Sequence, residues 1–121
     1  MEYKDIQVDQ HKKVGPGALR IYGCNGEWIQ ATSLPRAMSI LFFETGDDDF
    51  EEGDWEERPL DGDERFFLED VTPEEVVSDS SRYVPEGGEI IIKGRRVFVQ
   101  APRRKWLEHN PYEQYYFSEN I

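Results

Sequence analysis

The chain has 121 residues and a formal net charge of −12, and aromatic residues make up 13% of it. This length suits one domain spanning residues 1–121, and the aromatic content excludes an intrinsically disordered protein. No apolar run approaches the roughly 18 residues of a transmembrane helix, and the N-terminus lacks the apolar segment of a secretory signal. Cys24 is the single cysteine and cannot form an internal disulfide. We therefore expect a cytoplasmic protein that does not enter a membrane.

The charge is distributed unevenly along the chain. Residues 1–40 contain five basic and four acidic side chains, residues 41–92 contain three and nineteen, and residues 93–121 contain six and three. The acidity is densest in residues 44–64, ETGDDDFEEGDWEERPLDGDE, where twelve of twenty-one side chains are carboxylates. A field of one sign attracts a basic partner and repels nucleic acid and anionic membranes.

Taken in chain order, the first elements are a short edge strand and a hairpin. A weak alternation at Ile6 and Val8 predicts the edge strand. Asn25-Gly26 lies between two strand-like runs and supplies the two positive-φ residues of a type I′ turn, so it predicts a tight β-hairpin. In that register Trp28 lies opposite Gly23 and covers the glycine. Both faces of the hairpin are partly apolar, which predicts a position inside a sheet.

Two short apolar runs flank the acidic segment. Residues 37–44, AMSILFFE, are almost continuously apolar and predict a strand covered on both faces. Residues 65–68, RFFL, predict another strand. The span between them is longer than the about 15 residues at which loops in compact domains become uncommon unless they are functional or disordered. We therefore interpret residues 44–64 as an acidic loop presented by a scaffold.

The region after the acidic loop predicts a short helix and a second hairpin. Residues 72–75, TPEE, have the N-cap, proline and glutamate of a helix start. Residues 89–100, EIIIKGRRVFVQ, predict the hairpin. A turn at Gly94-Arg95 pairs Ile92 with Val97 and matches apolar residues across the strands, whereas a turn one residue earlier would set isoleucines against arginines.

The C-terminal region predicts one or two helical turns over residues 103–109. It ends in an aromatic tail, residues 112–121, that packs on the sheet. Together these elements predict a β-rich α+β fold, a small antiparallel sheet or barrel built on two hairpins with one or two short helices.

Three interpretations of the acidic loop are open. It is a solvated connection, as charge runs usually are, or a metal site, or a binding surface. When the segment is aligned with a calcium-binding EF-hand loop, Asp47, Asp49 and Glu51 fall at the first, third and fifth positions, but Glu52 occupies the sixth position, which requires glycine. A looser carboxylate cluster for a divalent ion stays open, but we expect no metal and no cofactor.

As a binding surface, the loop combines carboxylates with two aromatic anchors. Fixed carboxylates imitate the charge of a nucleic acid, and exposed aromatic residues often dominate interface energetics. The alternative is that the aromatic residues tuck the loop back onto the scaffold. The predicted partner-binding residues are Asp47, Asp48, Asp49, Phe50, Glu51, Glu52, Asp54, Trp55, Glu56 and Glu57.

A basic region near the C-terminus gives an alternative site. Cations beside an aromatic residue contact phosphates and stack on bases in nucleic-acid-binding proteins. The whole molecule is acidic, however, so we favour pairing of these cations with the protein's own carboxylates. The alternative nucleic-acid-binding residues are Lys93, Arg95, Arg96, Arg103, Arg104, Lys105 and Trp106.

The sequence contains no catalytic motif. His11 and His109 lack metal-ligand spacing, and Cys24 has no nucleophile signature, so we expect no enzyme. We predict an acidic inhibitor or adaptor that acts as a nucleic-acid mimic. Its partner would be a protein with a basic surface, such as a nucleic-acid-handling enzyme or a toxin, and direct binding of nucleic acid is not expected. A nucleic-acid-binding module and a constitutive subunit of a larger complex are the alternatives.

Overall fold

The computed structural model describes residues 2–119, and its contacts divide the chain into two compact units. The first unit runs to Pro59 and includes the segment from Pro111, and the second is Leu60–Asn110. In chain order the elements are β1 (Arg20–Cys24), β2 (Glu27–Ala31), α1 (Leu34–Thr45), β3 (Glu56–Arg58), β4 (Asp63–Leu68), α2 (Pro73–Ser78), α3 (Ser80–Tyr83), β5 (Glu89–Lys93), β6 (Arg96–Pro102), α4 (Arg103–His109) and β7 (Gln114–Ser118).

The first hairpin forms in the predicted register. Strands β1 and β2 are antiparallel, with Gly23 opposite Trp28. Asn25 and Gly26 both have positive φ, 52° and 81°, as a type I′ turn requires. A Cβ added at Gly23 would overlap the Trp28 ring, so the indole packs directly on the glycine. The hairpin predicted from Asn25-Gly26 is therefore confirmed.

This hairpin forms the centre of a four-stranded antiparallel sheet with the order β3-β1-β2-β7. The aromatic tail was predicted to pack on the sheet; instead it joins the sheet as the edge strand β7, which pairs with β2. Asn120 and Ile121, at the end of that tail, lie outside the described residues. Strand β3 was not predicted. It belongs to the acidic segment and pairs with β1.

The predicted strand over residues 37–44 is wrong, because these residues belong to the helix α1. The Ser33 side chain caps the helix by accepting a hydrogen bond from the Arg36 backbone N–H, at 3.4 Å, and a proline lies in the first turn. Gly46 ends the helix in the left-handed conformation, with φ of 72°. Five successive residues of the run, Ala37 to Leu41, are buried, whereas Phe43 is 57% exposed, so a wide buried helix face accounts for the first part of the run only.

The predicted edge strand at Ile6 and Val8 is also wrong. After a short 3-10 turn at Tyr3–Asp5, this segment forms no strand. It packs on α1 instead: the Ile6 carbonyl accepts a hydrogen bond from the Ser39 hydroxyl at 2.6 Å, and Val8 lies against the core. This contact satisfies the buried hydroxyl of Ser39.

The core of the first unit lies between α1 and one face of the four-stranded sheet. Tyr3, Tyr22, Trp55 and Tyr115 are among the half-buried residues that surround it. Its buried members are Cys24, Ile29, Ala31, Ala37, Met38, Ile40, Leu41 and Phe50.

The second unit is a three-stranded antiparallel sheet with the order β4-β6-β5. The predicted second hairpin is confirmed, with Ile92 opposite Val97 and the turn at residues 94–95. The helix start at Thr72 is confirmed by the hydrogen bond that its side chain accepts from the Glu75 backbone N–H. Helix α4 packs on the sheet through an edge-to-face contact between Trp106 and Phe66, with centroids 4.8 Å apart.

The predicted fold class is confirmed in its general form, as a small α+β fold with two antiparallel sheets on hairpins. Across residues 2–119 neither sheet closes into a barrel. That residues 1–121 form a single domain stays a prediction.

Candidate functional site

The acidic segment, residues 44–64, has a defined conformation rather than that of a long open loop. Its first residues complete α1, and its last two begin β4. Between them, the Thr45 hydroxyl accepts a hydrogen bond from the Asp47 backbone N–H at 3.1 Å. The Asp47 carboxylate in turn accepts one from the Asp49 backbone N–H at 2.9 Å. These local bonds shape the turn that carries the three consecutive aspartates.

Phe50 holds this part of the segment against the core. It is 7% exposed and belongs to the buried core of the first unit. Its ring lies 5.2 Å from that of Tyr3 and 5.5 Å from that of Trp55, the latter edge to face. Trp55 is half-buried against the same core. The two aromatic residues thus tuck the segment onto the scaffold, and Phe50 has almost no surface with which to contact a partner.

Two further features define the segment beyond Phe50. A 3-10 turn at Glu52–Asp54 carries a capping box, in which the Glu51 and Asp54 side chains each accept a hydrogen bond from the other residue's backbone N–H. Strand β3 then pairs with β1, with Glu57 opposite Tyr22. The Arg58 guanidinium lies over the Trp28 ring, 4.5 Å from its centroid. These contacts fix the backbone that carries the neighbouring carboxylates.

The carboxylates themselves face solvent. All eight acidic residues of the predicted site are exposed, namely Asp47, Asp48, Asp49, Glu51, Glu52, Asp54, Glu56 and Glu57. Within residues 2–119 only one of them forms an ion pair with a cation, Asp48 with the Lys4 amine at 2.6 Å. The hydrogen bond from Lys4 lowers the pKa of Asp48. Lys4 was not predicted, because no local pattern links it to a residue 44 positions away.

The acidic segment does not assemble a metal site. Across the described part of the chain, no three acidic, histidine or cysteine side chains converge on a point that could hold an ion. The spacing that resembles an EF-hand loop in sequence follows the end of a helix and leads into a 3-10 turn and an edge strand.

Two residues of the basic region, Arg103 and Trp106, are buried or nearly so and engaged within the second unit. Arg103 pairs with Glu64 at 3.1 Å, with the two side chains 18% and 12% exposed. Trp106 is buried, and its indole N–H donates to the Glu64 backbone carbonyl at 3.0 Å. Trp106 therefore has no free face for stacking on a base. Instead of stacking on a base, as the alternative site predicted, Trp106 packs α4 onto the sheet of the second unit.

The remaining cations of this region form weaker pairs or none. Arg95 lies 3.4 Å from Glu74, with both side chains largely exposed, and Lys105 lies 3.0 Å from Glu108. Lys93, Arg96 and Arg104 have no ion pair with any residue that the structure describes. Half of the six cations are thus paired with the protein's own carboxylates, and the structure does not gather all six beside an aromatic face.

The other candidate reactive residues occupy ordinary structural positions. Cys24 is buried, and burial followed by the charges of Asp54 and Asp47 raises the pKa of its thiol. A raised pKa disfavours the thiolate, which is the nucleophilic form. A ring nitrogen of His109 lies 2.9 Å from the Arg82 backbone carbonyl. His11 is exposed in the N-terminal segment, and its backbone N–H donates to the Asp9 side chain.

Comparison with models of protein families, with curated proteins and with solved structures yields no match. Among residues 2–119 no helix has the length and apolar character needed to cross a membrane.

Proposed function

We propose that this protein is an acidic inhibitor or adaptor that binds a basic surface of a partner protein through residues 47–57. The observation that supports the proposal is a set of eight exposed carboxylates in this segment, seven of which have no cation partner in the described chain. The backbone that carries them is held by hydrogen bonds, by strand pairing and by the buried ring of Phe50. A merely solubilising loop would not require this support.

The electrostatics of the segment suit capture of a basic partner. Charges of one sign on a supported surface create a field that raises the association rate with an oppositely charged partner by about 10- to 1000-fold. Clustered charges also repel one another, so fixing them together costs free energy that a basic partner offsets. Basic surfaces of this kind are typical of proteins that handle nucleic acids, which makes such proteins the expected class of partner.

Burial of Phe50 changes how the partner would be held. The residue cannot act as an exposed anchor, and Trp55 offers only part of its ring. Affinity then comes mainly from charge pairs and from hydrogen bonds to the carboxylates, and binding should be strongly sensitive to salt.

The test is affinity capture from the native cell with a matched pair of charge variants. The site variant is Asp49→Asn, Glu52→Gln and Glu56→Gln, whose carboxylates are exposed and without an ion pair in the described chain. The control is Glu69→Gln, Glu75→Gln and Glu86→Gln, three exposed carboxylates of the second unit. Both variants lose three negative charges, so they differ only in where the charge is removed.

We expect the wild type and the control to retain the same partner at physiological salt, and the site variant to lose most of it. Because exposed substitutions of this kind usually change stability by less than about 0.5 kcal/mol, all three proteins should be equally folded. Equal retention by the wild type and the site variant would assign the carboxylates of residues 47–57 to solubility alone.

A further inference from the structure

Strand β5 lies at the edge of the three-stranded sheet. It pairs with β6 on one side, and in the described chain no strand pairs with its other side. Its residues, Glu89-Ile-Ile-Ile-Lys93, are exposed or half-buried, with Ile92 44% exposed. An edge strand that is apolar and open is a template for pairing with another strand, and natural proteins usually block such edges. Here Lys93 and Glu89 are the only charges on the strand.

The hairpin register shows which backbone groups face outward. Lys93 and Arg96 close the two-residue turn, so they form a hydrogen-bonded pair. Pairs of this kind alternate along an antiparallel ladder. The N–H and C=O groups of Ile91 therefore point to β6, and those of Ile90 and Ile92 point to the open side. Apart from the hydrogen bonds within helices and sheets, no backbone hydrogen bond in residues 2–119 involves Ile90 or Ile92.

The sequence of the strand is complementary to itself. Antiparallel pairing of two copies about Ile91 sets Glu89 of each copy opposite Lys93 of the other. The same register sets Ile90 opposite Ile92, so the outward backbone groups meet and exchange both hydrogen bonds. A shift by two residues sets Glu89 or Lys93 against an isoleucine. A shift by one residue would bring inward-facing and outward-facing backbone groups together.

The surroundings of the strand favour the same arrangement. Within one chain Lys93 lies opposite Arg96, a pair of like charges that is unfavourable on neighbouring strands. A glutamate from a second copy would offset that repulsion. In addition, Phe67, Phe98 and Ile91 form a cross-strand row, and pairing at Ile91 would continue this apolar row into the second copy.

We propose that β5 pairs antiparallel with β5 of a second copy of this chain, about a two-fold axis at Ile91, to give a continuous six-stranded sheet. The contact involves five residues from each copy and buries less than the about 800 Å² per partner of a standard interface. The dimer is therefore weak and depends on protein concentration. It concerns the second unit and is independent of the proposed binding through residues 47–57.

The first test is charge reversal followed by sedimentation equilibrium over micromolar to millimolar concentrations. Because of the two-fold axis, Lys93→Glu turns two attractive pairs into two repulsive ones and should weaken self-association about 10- to 30-fold. Glu89→Lys should have the same effect. The double variant Glu89→Lys with Lys93→Glu restores both pairs in reversed order and should recover the wild-type association to within about threefold.

The second test captures a weak dimer covalently. Ile91→Cys places two thiols in a non-hydrogen-bonded pair with Cα atoms about 4.5 Å apart, within the range for a disulfide. The matched control is Ile92→Cys, whose counterparts would be diagonal neighbours about 7–8 Å apart. Cys24 is buried and present in both variants. We expect oxidised dimer to accumulate much faster for Ile91→Cys, even though residue 92 is more exposed.

The two tests distinguish the proposal from its alternatives. A monomer at all concentrations, together with equal cross-linking of the two cysteine variants, would overturn it. A dimer that is insensitive to both charge reversals would place the contact elsewhere on the chain and would also overturn it. Circular dichroism of each variant checks that the hairpin still forms, and the recovery in the double variant cannot result from unfolding.

Discussion

A buried ion pair in the first unit gives the sharpest prediction for stability. Glu113 is 2% exposed and accepts two hydrogen bonds from the Arg36 guanidinium, both at 2.8 Å. It accepts two more from Thr32, from the backbone N–H and from the hydroxyl, both at 3.0 Å. The carboxylate thus joins the start of α1, the end of β2 and the segment before β7. We predict that Glu113→Gln destabilises the protein strongly.

The magnitude follows from what the glutamine cannot do. Its carbonyl can still accept from Thr32, but its amide group faces the Arg36 guanidinium as donor against donor. Breaking a buried ion pair costs about 3–5 kcal/mol. The Arg36 side chain is 35% exposed and can be hydrated after the change, so we expect a loss at the low end of that range, about 3 kcal/mol.

The assay is urea unfolding followed by circular dichroism, with Asp48→Asn as the control. Asp48 also pairs with a cation, Lys4, but both side chains are exposed to solvent, which screens the pair, so its loss should shift the urea midpoint far less than the loss of Glu113. If the free energy of unfolding depends on urea concentration with the same slope in the wild type and the variant, the shift in midpoint reports a change in stability. If Glu113→Gln unfolds within about 0.5 kcal/mol of the wild type, the reasoning from burial is refuted.

Three further predictions follow from the same structure. Phe50→Ala should lower the free energy of unfolding by about 3–5 kcal/mol, whereas Phe43→Ala, at a residue that is 57% exposed, should change it little. Equal urea midpoints for these two variants would contradict the burial of Phe50. Burial raises the pKa of Glu113, but the bonds from Arg36 and Thr32 outweigh this and hold the pKa below its usual range. The stability that Glu113 contributes should therefore be complete above about pH 4.3 and disappear as the pH falls through the pKa of Glu113 in the folded protein. The free energies of unfolding of the wild type and of Glu113→Gln should therefore become equal in acid. A difference between them that stays constant with pH would exclude this linkage. In a mobility-shift assay at physiological salt the protein should not retain DNA or RNA, because Trp106 is buried and the net charge is −12. Retention abolished by Arg96→Glu with Arg104→Glu, two cations without an ion pair in the described chain, would favour the nucleic-acid-binding alternative.

The elements predicted correctly are those with a strong local signal. Asn25-Gly26 and Gly94-Arg95 specify their turns through backbone conformation and through the matching of apolar residues across two strands. The N-cap at Thr72 is equally local. Because these interactions join residues within about ten positions, the sequence contains most of the information that determines them.

The errors arise where distant contacts decide the structure. Residues 37–44 have the apolar character of a buried strand, and the helix-start signals at Ser33 and Pro35 lie outside that run. Strand β3, Glu56–Arg58, has little intrinsic strand propensity and forms because it pairs with β1. Burial of Phe50 depends on Tyr3, 47 positions away, and on the face of α1, and neither can be inferred from the acidic segment itself.

The most direct test of the proposed function is the rate at which the captured partner associates with the wild type and with the variant Asp49→Asn, Glu52→Gln and Glu56→Gln. Exposed charges at the rim of an interface act mainly on association and on its salt dependence. Stopped-flow measurements at several salt concentrations should show slower association for this variant and a weaker effect of salt, with the Glu69, Glu75 and Glu86 control close to the wild type. Identical association rates and identical salt dependence for the variant and the wild type would contradict binding through the acidic segment.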